Sequence, residues 1–124
     1  LPDDILGELV EAIRARQGFR IRAMDMSEFP LTMDIFLLAS AETRVQARAI
    51  ADSVTDRARS LDMRLHHKEG YEEGSWILLD FSELVVHIFL PDTREYYNLE
   101  MLWNDAPFED FPDDAGRTGD LPPG

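Results

Sequence analysis

Cysteine is absent from the 124-residue chain. That excludes disulfides, a thiolate nucleophile and any cysteine-ligated zinc or iron–sulfur centre, and it fits a reducing compartment. Long apolar runs are lacking as well, and none approaches the roughly 18 residues that cross a bilayer. No basic stretch is followed by an apolar h-region, and no Arg-rich transit sequence is visible, so the expectation is a cytoplasmic protein. The chain opens on Leu1 rather than Met, which leaves room for a preceding N-terminal piece. The phosphate-cradling patterns G-x-x-x-x-G-K-[ST] and G-x-G-x-x-G are missing, and so is the nucleophile elbow G-x-S-x-G. Bases are scarce: 12 stand against 25 acids, a net charge of −13. Such a surface repels nucleic-acid phosphate, so no direct DNA binding is expected. It suits a basic protein partner, because opposite fields speed encounter, or else it simply keeps the chain soluble.

What is present is a single domain's worth of chain, long enough to bury a core without staples. The acidity is concentrated at one end. Residues 105–124 carry six acids and one base, and seven of the fourteen Pro and Gly residues. Such a composition cannot offset its ordering entropy. The expected division is therefore a folded domain over residues 1–106 and an acidic Pro/Gly-rich disordered tail over 107–124. Phe108 and Phe111 are the tail's exceptions, free to dock locally or on a partner.

Residues 2–17 read as an amphipathic helix, with Ile5, Leu6, Leu9, Val10 and Ile13 on one stripe and Gly18 as its stop. Residues 19–26 alternate as a strand. Residues 33–39 are almost wholly apolar, as in a strand covered on both faces. Ser40 offers an N-cap for a helix over about 41–61, whose buried face is Val45, Ala49, Ile50, Val54, Ala58 and Leu61. A strand over 63–68 and a glycine-bearing loop precede two strongly strand-like runs, Ser75–Phe81 and Leu84–Leu90. Their two-residue gap predicts a tight hairpin. One or two short helices follow Pro91. This order indicates an α/β fold: a single layered domain with a mixed five-stranded sheet and flanking helices. The helix over 41–61 is long enough for a right-handed parallel crossover.

The hairpin sets Leu79 opposite Val86 and Ile77 opposite Ile88 on one apolar face. Its other face mixes Trp76, Leu78 and Asp80 with Val85, His87 and Phe89. Either a second helix covers that face, with Asp80 and His87 as satisfied core-edge groups, or part of it is an exposed recognition patch centred on Trp76. Catalytic signals are weak. His66 and His67 point to opposite sides of a strand, and with Glu69 they make poor metal spacing. The pair of His87 and Asp80 has no placed nucleophile. Glu69, Glu72 and Glu73 read as hydrated loop acids. Neither catalytic residues, metal nor cofactor are expected.

The run Trp76-Ile77-Leu78-Leu79-Asp80-Phe81, then Val85-Val86-His87-Ile88-Phe89, then residues 94–107 (REYYNLEMLWNDAP) resembles the ribosomal silencing factor family, RsfS or Iojap. The Asp25 segment, Met33-Asp34-Ile35-Phe36 and Ala49-Ile50-Ala51-Asp52 look like the same family's first half. The resemblance covers about residues 5–107. Departures are Ser40-Ala41-Glu42-Thr43 before the long helix, Arg44 one place early, and Ser82-Glu83 in the hairpin turn. The resemblance implies a nucleotidyltransferase-like but non-catalytic domain, sometimes a homodimer. It implies binding to a basic protein on the intersubunit face of the large ribosomal subunit, number fourteen in that subunit's naming. The bound factor would block small-subunit joining and repress translation. Carried onto this chain, the contact surface is Trp76, Leu78, Asp80, Glu83, Val85 and His87, which favours the recognition reading of the mixed face. The alternative is a degenerate nucleotidyltransferase-like enzyme acting on a nucleotide.

Overall fold

The computed structural model describes residues 3–31 and 33–113. In chain order the elements are α1 (Asp3–Arg14), β1 (Phe19–Asp25), β2 (Ile35–Ser40), α2 (Arg44–Ser60), β3 (His67–Glu69), β4 (Trp76–Asp80), β5 (Leu84–Phe89), α3 (Pro91–Tyr97), α4 (Leu99–Leu102) and β6 (Phe108–Phe111). The strands form one mixed sheet in the order β3-β4-β5-β2-β1-β6. The α/β class with flanking helices is as expected, but the sheet has six strands rather than five.

Only β2 and β5 pair in parallel, with Leu37 opposite Val86 and Leu38 opposite His87. Such a pair needs a crossover, and α2 supplies it. The hairpin register is the expected one, with Leu79 facing Val86, Ile77 facing Ile88 and Leu78 facing His87. Ser82 takes a positive φ of 81° in the turn, a place usually left to glycine, and the Asp80 carboxylate holds it by accepting from the Ser82 N–H at 2.7 Å.

Each face of the sheet has its own core. On one face the stripes of α1 (Leu9, Val10, Ile13) and α2 (Ala47, Ile50, Ala51, Val54) cover Leu37, Ile77, Leu79, Val86 and Ile88. On the other, Leu99 and Ala106 join Met24, Met26, Phe36, Leu38, Val85 and Phe89, with Phe29, Met33, Trp76, Leu78 and Trp103 half-buried around them. Two layers on one side and a partial third on the other follow from this division.

Three local expectations are corrected. Thr43, not Ser40, caps α2: its hydroxyl accepts from the Gln46 N–H at 3.0 Å. Ser40 ends β2, and its buried hydroxyl accepts from Arg94 instead. Val45, in the first turn, is 70% exposed, and Ala47 and Ala51 join Ile50, Val54 and Ala58 in the core. At the end of α1 the left-handed residue is Gln17 (φ 59°), while Gly18 donates to the Ile13 carbonyl at 3.0 Å. Gly18 is needed because a Cβ there would run into the Ile13 side chain. Finally, Phe108–Phe111 lie in the stretch expected to be a disordered tail, yet they form β6, antiparallel to β1. Arg22 explains it: its guanidinium bonds Asp110 at 2.6 Å and stacks on the Phe108 ring at 3.8 Å, while Phe111 packs on the core. Residues 114–124 of the expected tail lie outside the described residues.

Candidate partner-docking face

The mixed face of β4 and β5 is half covered. Its innermost members are sealed: Val85 and His87 are each 3% exposed, and Phe89 is fully buried. Val85 and His87, expected as contact residues, therefore lie out of a partner's reach and support the face from beneath. The reason is the partial layer formed by the chain after Pro91 and by the loop around Phe29, which closes over the strands in the sheet's centre. Trp76, Leu78 and Asp80, on the strand nearer the sheet edge, stay half-buried, and Glu83 is exposed in the turn.

Trp76 is the centre of an aromatic raft. Its ring centroid lies 4.9 Å from Phe89 and 4.8 Å from Tyr97. Its indole Nε1–H donates to His87 Nδ1 at 3.1 Å. The imidazole stands nearly perpendicular to Phe36, at 4.6 Å and 72°, and parallel to Phe89. With no charge beside it, burial alone pushes the His87 pKa down to about 4, so the ring is neutral at pH 7.

Acids fringe this plate on the edge side. Across β3, Glu69 is in register with Leu78 and His67 with Asp80, and Glu69 in turn bonds the His67 ring. Glu83 tethers its turn to β2, its carbonyl accepting from the Asp34 and Ile35 N–H groups at 2.7 and 3.1 Å. The arrangement gathers an apolar anchor, an aliphatic neighbour and several carboxylates, and can hold a cationic protein surface. Sequence reasoning missed that α3 and α4 add exposed apolar area. Tyr97 packs at a tilt against Trp76 while half exposed, and Met101 and Leu102 are 64% and 66% exposed. The available signal was two apolar residues in a short helix whose other apolar residue, Leu99, takes the core position.

The structure also has a cleft of about 490 Å³ where the ends of β1 and β2 meet the start of β6, lined in part by Leu6, Met24, Asp25, Asp34, Phe108 and Glu109. Asp25 is held below the usual carboxylate range by bonds from the Ser27 hydroxyl (2.6 Å) and N–H (3.0 Å). His66, His67 and Asp80 lie at the opposite edge of the sheet and are not brought into this cleft.

Residues 2–120 match a family model described as ribosomal silencing factor during starvation, RsfS. The chain is 41% identical over 91 residues to ribosomal silencing factor RsfS of Bacillus subtilis, covering 73% of this chain and 77% of that protein. Among solved structures, a Chromobacterium violaceum protein superposes with a TM-score of 0.79 at 30% identity, covering 82% of this chain and 85% of that one. A Bacillus halodurans protein does so with a TM-score of 0.77 at 32% identity, covering 89% of this chain and all of that one.

Proposed function

Because the chain belongs to the ribosomal silencing factor (RsfS) family, we propose that it represses translation by docking its Trp76 face on a basic protein of the large ribosomal subunit's intersubunit side. The observation that carries the reading is the half-buried Trp76 in its aromatic raft, on one strand face with Leu78 and Asp80 and on a chain of net charge −13. Tryptophan is among the residue types that dominate binding hot spots. Asp80 and Glu83 meet lysines or arginines of the partner, the large-subunit protein numbered fourteen. Trp76 and Leu78 supply the desolvated apolar contact.

The mechanism is steric. The bound factor occupies space that the small subunit needs, and no bond is made or broken, so the chain works as a non-enzymatic regulator in the cytoplasm. A homodimer is compatible with this reading only if it leaves Trp76 open.

The test has two arms. Added protein should shift ribosomes on a sucrose gradient from joined particles to free subunits. Trp76→Ala should weaken binding to the purified large-subunit protein by about 2 kcal/mol, roughly 30-fold. Wild-type affinity in that variant would remove the docking face. An unchanged gradient would remove the steric mechanism.

A further inference from the structure

We propose that His87 is a positioning residue: from beneath the sheet surface its Nδ1 holds the Trp76 indole in the pose that meets a partner. The inference rests on Trp76 being the docking anchor.

The indole Nε1–H can only donate, so the nitrogen facing it at 3.1 Å must accept. Nδ1 is therefore unprotonated and the proton sits on Nε2. That second nitrogen is buried without a partner among the described residues. The rings around the imidazole are Phe36, Phe89 and Trp76. Among the described residues, a histidine packed between aromatic rings with one nitrogen unused makes a single side-chain polar contact, and that contact is Trp76. Packing alone is served as well by phenylalanine, which adds no buried polar atom. Its own orientation is fixed because it is wedged beside Phe36 and 3% exposed, so it forms a rigid acceptor shielded from competing water.

Fixing the indole in advance reduces the side-chain ordering that binding would otherwise have to supply. The same bond occupies the only polar atom of the Trp76 side chain. The partner must then meet the indole through its carbon surface, with an aliphatic stem or a cation over the ring, and not through a hydrogen-bond acceptor. Lysine and arginine offer both features.

The test uses the full chain carrying Trp103→Phe, so that Trp76 is its one indole, with the purified large-subunit protein as probe. In that chain the indole N–H should exchange with solvent at least tenfold more slowly than a free indole. Exchange at the free rate overturns the proposal without any further variant. His87→Phe, which removes the acceptor, should speed indole exchange and weaken binding about tenfold. His87→Gln, which restores an acceptor, should recover most of that loss. In the Trp76→Phe background, His87→Phe should cost nothing more. If Trp76→Ala weakens binding but His87→Phe does not, positioning is wrong and the docking face stands. If Trp76→Ala leaves binding intact, the docking face itself fails. Equal losses in His87→Phe and His87→Gln with unaltered indole exchange assign the residue to packing and overturn the proposal.

Discussion

At the scale of single residues, burial decides what each polar group can do. His87 is the sharpest case. Its pKa is about 4 when folded, against an ordinary 6.5, so the unfolded chain takes up a proton before the folded one does. Its neutral burial contributes fully above pH 6.5. That contribution drains away as pH falls from 6.5 toward 4, and amounts to on the order of 3 kcal/mol. Asp25, Glu73 and Asp110 are also held below their ordinary values by hydrogen bonds, from Ser27, Ser75 and Arg22 respectively, and they too give up stability in acid. Those losses are common to wild type and a His87→Phe variant. Urea unfolding at pH 7 and pH 4 should therefore show wild type losing about 3 kcal/mol more than the variant, and equal slopes would contradict a neutral buried imidazole. The burial of His87 was not legible in the sequence. Alternation placed it beside Trp76 on the correct face, but period-2 patterning cannot say how far a later segment will reach over that face.

Among elements, the hairpin register and the N-terminal helix were legible and strand β6 was not. Two strong strands separated by two residues admit few pairings, so Leu79–Val86 and Ile77–Ile88 followed from spacing alone. Strand β6 is short, acidic and flanked by Pro107 and Pro112, and only the tertiary contacts of Arg22 and the core reveal it. The docking of α3 also depends on a contact invisible in one dimension. Arg94 is 4% exposed, and its guanidinium bonds Glu100 at 2.8 and 2.9 Å, the Arg20 carbonyl at 2.7 Å and the Ser40 hydroxyl at 2.9 Å. One side chain thus ties the two short helices to β1 and β2, at the point where Arg20 takes a positive φ in a bulge. Burial lowers the Arg94 pKa and the Glu100 charge opposes that. Removing the carboxylate leaves a buried, uncompensated cation, so Glu100→Ala should cost about 3 kcal/mol in chemical denaturation. A midpoint equal to wild type would show that this tie does not hold the partial layer.

For the whole molecule, charge and fold serve different ends. In the proposed docking, the fold offers a small apolar plate, and the net charge of −13 would supply long-range attraction toward a cationic surface. The association rate with the large-subunit protein should then fall at least tenfold between about 50 and 500 mM salt, while dissociation changes far less. Stopped-flow mixing at several salt concentrations would measure both, and a salt-independent association rate would discard electrostatic steering.

The sheet's last strand has a temporal consequence. Phe111 sits in register with Ile21, and Phe108 with Met24, so one partner of β1 is translated long after β1 itself. While the ribosome is still making residues 26–107, the β1 flank stays open to stray pairing with other nascent chains. Synthesis of residues 108–111 closes it, so the sheet stays one strand short until that segment has been made.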